Sequence, residues 1–296
     1  MTAAQRPSIS IVVVSFNARE HLSRCLSSVY EKQAGDFEVI VVDNASRDGS
    51  AGLVAERFPT ATLIQNSANL GFAAAANAGA RSAGGAVIVF LNPDCQLDDD
   101  AFSAPAAYLR GHEDVGALGI KVLDPDGKLQ LSVRRFPGLS ASLFNRYSVL
   151  TKWFPRNPIS RRYLMTTWDH GSISDVDWVS GACLITTRAT LDRLGFFDEH
   201  FFWGFEDVDF CQRVHRAGLR VVYFPETSVR HEIGASARTA PVQALIARHK
   251  GMWRYYRRYL SHGPVIDGLV FGGIVARCAL QVAVGYIKRL STPDRV

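Results

Sequence analysis

The sequence predicts an α/β fold with a mainly parallel central sheet flanked by helices, followed by a C-terminal helical appendage. Three observations point there. Over the first hundred residues, short Val/Ile-rich runs alternate with helical stretches, the rhythm of a parallel sheet covered on both faces. Polar residues stand directly after those runs, with Asp43 closing FEVIVVD and Asp94 following AVIVFLN, where an open α/β sheet has its ligand crevice. From residue 264 to 287 the composition turns mostly apolar. A chain of 296 residues with 47% hydrophobic content can bury a large core as one domain plus an appendage. The expected division is a catalytic body over 1–240 and helices over 241–296 that attach to a membrane.

In chain order, ISIVVVSF reads as a strand, residues 18–34 as a helix, FEVIVVD as a strand, 49–58 as a helix, ATLIQN as a strand, 72–82 as a helix and AVIVFLN as a strand. Right-handed crossovers bring Ser15, Asp43 and Asp94 to one edge. Residues 101–111 look helical, DPDG at 124–127 is a turn, and LQLSVRRF reads as a strand before a basic, aromatic stretch. DVDWVSGACLITTRATLDRLG reads as strand then helix, and EDVDFCQRVHRAG as a helix with Gly218 past its end. LRVVYFP is a strand leading to His231.

The net charge of +5 is modest, but basic residues concentrate at 134–162 and 248–258. Five dispersed cysteines, Cys25, Cys95, Cys183, Cys211 and Cys278, form no CxxC pair, so they read as reduced, buried cytosolic thiols rather than a zinc site. The apolar run at the N-terminus is too short for a signal peptide, which puts the catalytic body in the cytoplasm. No nucleic-acid recognition module accompanies the basic residues.

Asp43 is followed by Asn44, Ser46, Asp48 and Gly49, a composition that could simply start the next helix. The functional reading is that Asp43 accepts the imide N–H of a uracil or thymine ring while Ser15 and Asn17 line the same cleft, since an ionised Asp is an acceptor only. SFNAREH stands where a dinucleotide fold would carry GxGxxG, which argues against a dehydrogenase. In NLGFAAAANAG, Gly71 and its small neighbours permit close backbone approach. Asn-Pro-Asp at 92–94 is good turn chemistry, yet Asp94 also offers a hard oxygen to Mg²⁺ or Mn²⁺, with Asn92 adding a neutral one. A lone histidine is more often structural than a ligand; pairing with Asp94 is what favours His231 as one. Glu206 and Asp207 open a helix, where the dipole favours acids anyway, but a carboxylate against Phe201, Phe202, Trp203 and Phe205 makes a useful general base. Asp209 and Arg213, four apart, read as a surface ion pair.

Taken together, IVVVSFN, VVDNASRDGS, NLGFAAAANAG, FLNPD, WVSGACLITTR, FFWGFEDVDFCQR and His231 resemble a family 2 inverting glycosyltransferase of the GT-A (nucleotide-diphospho-sugar transferase) fold, particularly its bacterial rhamnosyltransferase-like branch. The resemblance runs from about residue 9 to 231. It implies nucleoside contacts from Ser15, Asn17 and Asp43, with Asn44, Gly71, Phe72, Asn77 and Asn92 assigned to the donor nucleotide. It also implies Asp207 as catalytic base beside Glu206, and Trp178, Gly181, Ala182 and Trp203 as the acceptor and sugar pocket. The resemblance further implies that Asp94 occupies the last position of the family's DxD motif and, with His231, binds the divalent cation; Asn92 departs from the Asp of many relatives. The implied reaction is one in-line displacement with inversion, moving L-rhamnose from dTDP-rhamnose to a lipid-linked or cell-surface glycan acceptor in cell-wall or polysaccharide assembly. A UDP-hexose or UDP-galactofuranose transferase, or a non-catalytic nucleotide-sugar-binding membrane scaffold, stays open as an alternative.

In the tail, Ile246, His249, Met252, Trp253, Tyr256 and Leu260 recur at helical spacing with Arg248, Arg254, Arg257 and Arg258 between them. Such a basic amphipathic helix suits an anionic membrane surface. Residues 264–287 are about long enough to cross a bilayer, but Arg277 near the centre would cost roughly 2.5–3.5 kcal/mol, which favours in-plane attachment at the inner face of the cell membrane. The bland alternative is that these helices pack on the body or form a homo-oligomer interface. Arg134 to Arg162, with Phe144, Tyr147, Trp153 and Phe154, reads either as a contact for acceptor diphosphate or headgroups, or as a solvated loop.

Overall fold

The computed structural model describes residues 7–138, 157–232 and 241–291; Phe144, Tyr147, Trp153 and Phe154 lie outside these described residues. The first half follows the predicted rhythm: β1 (Ile9–Ser15), α1 (Arg19–Lys32), β2 (Phe37–Asp43), α2 (Ser50–Arg57), β3 (Thr62–Gln65), α3 (Phe72–Ser82) and β4 (Val87–Leu91). Beyond it come β5 (Cys95–Gln96), α4 (Ser103–Gly111), β6 (Val115–Leu123), β7 (Val133–Arg134), α5 (Pro158–Tyr163), β8 (Ser174–Asp175), β9 (Trp178–Val179), β10 (Cys183–Thr187), α6 (Arg188–Leu194), α7 (Glu206–Arg216) and β11 (Arg220–His231). Two helices close the described chain, α8 (Pro241–Tyr259) and α9 (Pro264–Ser291).

The main sheet runs β3-β2-β1-β4-β10-β6-β11-β5, with β8 also on β11, while β7 and β9 pair separately. Strands β3, β2, β1 and β4 are mutually parallel. β10 enters antiparallel between β4 and β6, and β11 lies parallel to β6. The register sets Ser15 opposite Asp43 and Cys183 opposite Leu91. The turn before β10 therefore lies beside the loop that leaves β4.

Strand alternation sends Ile9, Ile11 and Val13 to one face, against Leu22, Cys25, Leu26 and Val29 of α1, Val54 of α2 and Phe102 beside α4. Val12 and Val14 face α3 and α7 on the other side. Each fully buried Val, Ile or Leu contributes about 1.5–3 kcal/mol. The small residues of α3 are a packing device: a Cβ on Gly79 would lie 2.4 Å from Val12 Cγ1, so only a nearly bare helix face can sit that close to β1.

Two readings of the second half change. LQLSVRRF contributes only the two-residue β7, preceded by a turn at Asp124–Gly127. Asp209 is not on the surface: it is fully buried and receives Arg213 Nε at 3.0 Å, Arg258 Nη1 at 2.6 Å and Tyr259 Oη at 2.7 Å. The last two donors come from α8, which packs on α7 and places Tyr255 in the second core cluster. Cys25, Cys95, Cys183 and Cys211 are buried free thiols, and Cys278 is half-buried.

Candidate active site

At the carboxyl ends of β1 and β2, Ser15 and Asp43 face each other as register partners, both buried. One Asp43 oxygen accepts the Ser46 N–H at 3.0 Å. Its other oxygen, Oδ1, and the Ser15 hydroxyl are buried with no protein partner among the described residues. A buried polar atom left unmatched costs about 1–3 kcal/mol, so this pair is suited to a ligand that brings its own N–H and acceptor.

The neighbouring asparagines do different work. Asn44 is buried, and its amide bonds Asn69 and the Gly71 carbonyl while accepting from Asn66 and the Leu70 N–H, at 2.8 to 3.2 Å. Asn77, also buried, holds both the N–H and the C=O of Phe197 and touches Glu199. Asn17, at φ 49°, accepts the Arg47 N–H at 2.7 Å. These side chains brace loops: Asn17 and Asn44 tie together the β1, β2 and 66–71 loops, and Asn77 ties α3 to the aromatic loop ahead of α7. Gly71 also serves that loop, because a Cβ there would meet the Phe202 carbonyl at 2.5 Å. Phe72 donates its N–H to the same carbonyl at 2.7 Å.

Leaving β4, Asn92 donates its backbone N–H to the Ala182 carbonyl at 3.0 Å. Asp94 is buried, and its Oδ1 lies 3.3 Å from His231 Nε2. Strand β11 carries His231 here by pairing it with Cys95 of β5. Asp94, Cys95 and His231 bring their donor atoms within 4.8 Å of one another. Burial, then the Asp94 charge, push the Cys95 thiol well above its usual range, and its Sγ donates to the Ala182 carbonyl at 3.3 Å. Asp94 and His231 thus bring a carboxylate oxygen and an imidazole nitrogen together, a donor set that fits Mn²⁺ or Mg²⁺.

The acidic pair opens α7. Phe205 just before it adopts φ 77°, a conformation costly for an aromatic residue, and the helix then starts with Glu206 and Asp207 beside Gly181. Asp207 Oδ2 accepts the Gly181 N–H at 2.9 Å, and Oδ1 accepts the Val208 N–H at 2.8 Å. Burial raises its proton affinity, while those N–H groups and the Arg134 charge hold the rise back. Burial, then the Asp207 charge, push Glu206 up to about 8, and its Oε2 is buried without a partner among the described residues.

The Gly181–Ala182 turn is the hub. Ala182 holds the Asn92 loop on one side and Gly181 holds Asp207 on the other, so the candidate metal pair and the candidate base converge on one turn. Trp178 is buried and lies beneath the Arg134 guanidinium, 5.0 Å from the ring centre. Trp203 is half-buried in the aromatic loop. Sequence reasoning passed over Gln130, whose side chain reaches His231, while Arg134, the first residue of the basic stretch, brings its charge beside Asp207.

The profile of Glycosyl transferase family 2 matches residues 10–175, more than half of the chain. An N-acetylglucosaminyl-diphospho-decaprenol L-rhamnosyltransferase of Mycobacterium tuberculosis is 30% identical over 279 residues, covering 87% of this chain and 90% of that protein. The O-antigen biosynthesis protein RfbC of Myxococcus xanthus is 30% identical over 238 residues, which are 78% of this chain but 18% of that protein. Among solved structures, the mannosyltransferase PcManGT from Pyrobaculum calidifontis, in complex with GDP-Man and Mn²⁺, superposes with a TM-score of 0.56 at 19% identity, covering 98% of this chain and 82% of that one. GalNAc-T7 with UDP, GalNAc and Mn²⁺ gives 0.59 at 16% identity over 77% of this chain and 43% of that one. With a GT-A fold and a matching family profile, the chain belongs to glycosyl transferase family 2 and is an inverting-type glycosyltransferase.

Proposed function

We propose that this enzyme transfers L-rhamnose from dTDP-L-rhamnose to a lipid-linked diphospho-sugar at the cytoplasmic face of the cell membrane. Asp43 Oδ1 and the Ser15 hydroxyl receive the base of the donor nucleotide, as their unmatched buried atoms suggest. Asp94 and His231 hold a divalent cation, which supplies charge stabilisation to the departing nucleotide diphosphate. Asp207 takes the proton from the acceptor hydroxyl as that oxygen attacks the anomeric carbon, and configuration inverts because there is one displacement. The N–H groups of Gly181 and Val208 fix the carboxylate in place. Burial, then the Asp207 charge, raises the proton affinity of Glu206, which limits the negative charge of the pair. Arg134 on Trp178 stands beside the base as a cation for acceptor phosphate.

The observation that carries this reading is the Gly181–Ala182 turn, which joins the Asp94 loop to Asp207. Rhamnose and the lipid carrier are supported by the mycobacterial relative, which is similar over nearly its whole length. The helix α9, long and apolar enough to cross a membrane by length and composition, supports attachment; we favour an in-plane position because Arg277 interrupts it.

The test is nucleotide-diphosphate release from a panel of dTDP-, UDP- and GDP-sugars, with polyprenyl-diphosphate-N-acetylglucosamine as acceptor and with or without Mg²⁺ or Mn²⁺. Acceptor-dependent release from dTDP-rhamnose alone is expected. Release from a UDP-hexose or UDP-galactofuranose instead would replace the donor. Nucleotide binding without release from any donor would favour a non-catalytic scaffold. Full solubility of the whole chain at moderate salt without detergent would contradict membrane attachment.

A further inference from the structure

Gln130 lies in the segment between β6 and β7, far in sequence from His231, yet its amide closes on that residue from two sides. Its Nε2 donates to the His231 main-chain oxygen at 2.6 Å, and its Oε1 lies 3.0 Å from His231 Nδ1. Chemistry fixes the orientation of this amide. A carbonyl oxygen can only accept, so Nε2 must face it, and Oε1 must then face the ring. Because Oε1 is also an acceptor only, Nδ1 carries a hydrogen. In the neutral ring the lone pair is therefore on Nε2, the atom 3.3 Å from Asp94 Oδ1. Two lone pairs at that separation repel each other unless a proton or a metal ion stands between them. A divalent cation taking one bond from each satisfies both, whereas the other tautomer would turn an N–H toward the carboxylate and block it.

Gln130 is itself held in place: its N–H donates to the Val122 carbonyl at 2.8 Å, and its own carbonyl accepts the Ser132 N–H at 2.7 Å. The amide is thus carried on a braced segment rather than a free loop, and it grips both the backbone and the ring of one residue. Partners of this kind, bonded to the distal nitrogen of a metal-binding histidine, set tautomer and ring direction.

We propose that Gln130 is a positioning residue of the cation site, fixing the His231 ring so that Nε2 is presented beside Asp94 to a divalent metal. This rests on the reading of Asp94 and His231 as metal ligands. The experiment titrates the full-length protein with Mn²⁺ alone, following the signal of free Mn²⁺, for wild type, Gln130→Met, His231→Ala and the double variant. Nitrogen chemical shifts of the metal-free imidazole report the tautomer, and melting curves confirm that each variant is folded. Gln130→Met should weaken Mn²⁺ binding by about 10–100-fold and have no further effect once His231 is Ala. Gln130→Leu, which likewise removes the acceptor opposite Nδ1, should weaken binding to the same extent and serves if the Met variant fails to fold. The wild-type neutral ring should carry its hydrogen on Nδ1. A hydrogen on Nε2, or a Gln130→Met effect that persists in the His231→Ala background, would overturn the proposal. So would unchanged affinity in Gln130→Met where His231→Ala weakens binding. Unchanged affinity in His231→Ala itself would remove the metal assignment, and the proposal with it, so the two failures are told apart.

Discussion

The helices α8 and α9 both read in the sequence as membrane-attaching, one a basic amphipathic stripe and the other mostly apolar with Arg277 near its centre, yet the structure treats them oppositely. α8 has its inward residues taken up: Tyr255 and Tyr256 are 2% and 3% exposed. Its arginines meet protein carboxylates, with Arg258 bonding Asp209 at 2.6 Å and Asp198 at 2.7 Å, and Arg254 reaching Asp198 at 3.4 Å. α9 leaves Val265, Leu269 and Leu280 at 77%, 73% and 61% exposed. The two helices are fastened to each other at their turn, where Asp267 accepts from Tyr256, Ser261 and the His262 N–H, and pairs with Arg257. An amphipathic stripe alone does not say whether a helix faces protein or lipid. What decides is whether its charged residues find buried partners of opposite sign. For α8 those partners flank the candidate base, one on the loop ahead of α7 and one two residues past Asp207. We therefore propose that the catalytic body extends through α8, with α9 alone as the membrane appendage.

The sharpest way to break this contrast is truncation. A chain cut after Ala240 loses the aromatic packing of α8 and two donors to buried Asp209, on the order of 5–10 kcal/mol, comparable with the whole stability of a domain. It should be unfolded or insoluble, whereas a chain cut after His262 should melt cooperatively and stay in solution without detergent. Calorimetry and sedimentation of both would decide, and a well-folded 1–240 chain would refute the extended body.

The catalytic end of α7, to which α8 is clamped, supplies a pH-dependent effect. Glu206 is raised to about 8 in the folded protein, against an ordinary glutamate near 4.3 when unfolded. The folded state then binds the extra proton between these values, so the stability from this group is fully present below pH ~4.3 and declines by up to ~1.4 kcal/mol per pH unit until pH ~8. Glu206→Gln should flatten that decline, seen as a melting temperature less sensitive to pH than that of wild type. An unchanged slope would mean that Glu206 is already ionised.

A smaller loss is expected for Arg258→Ala. It leaves Asp209 buried with Arg213 and Tyr259 still bonded, and the guanidinium is 37% exposed, so the cost should be about 1–3 kcal/mol. Urea denaturation would measure it, and loss of under half a kcal/mol would mean the clamp is only a surface contact. The smallest effect should come from Leu269→Gln with Leu280→Gln on α9: folding stability within about 0.5 kcal/mol of wild type, but weakened co-sedimentation with anionic vesicles. Strong destabilisation instead would show that α9 packs against protein.

Legibility followed the same physics. The β1–β4 half could be read because its strands are buried on both faces and appear as continuous Val/Ile runs. β6, VGALGIKVL, escaped because two glycines break its pattern. Those glycines exist for close approach: a Cβ on Gly116 would meet Val214 of α7, and one on Gly119 would meet Val179 of β9, each at 2.7 Å. In the candidate site, the carboxylates Asp43, Asp94 and Asp207 were singled out by their positions after apolar runs and by family resemblance. The asparagines were harder, since an amide that holds a loop and one that holds a ligand look alike in sequence. Gln130 gave no signal, because its meaning depends on a partner 101 residues away.

The measurement that bears most directly on the whole account is acceptor-dependent nucleotide-diphosphate release by Asp207→Asn, with donor binding measured in parallel. Donor affinity should match wild type, because Asp43, Ser15, Asp94 and His231 are untouched, while transfer should fall by about 10²–10⁴-fold. Transfer at the wild-type rate, with donor binding unchanged, would remove Asp207 as the base and contradict the mechanism proposed for the Gly181–Ala182 turn.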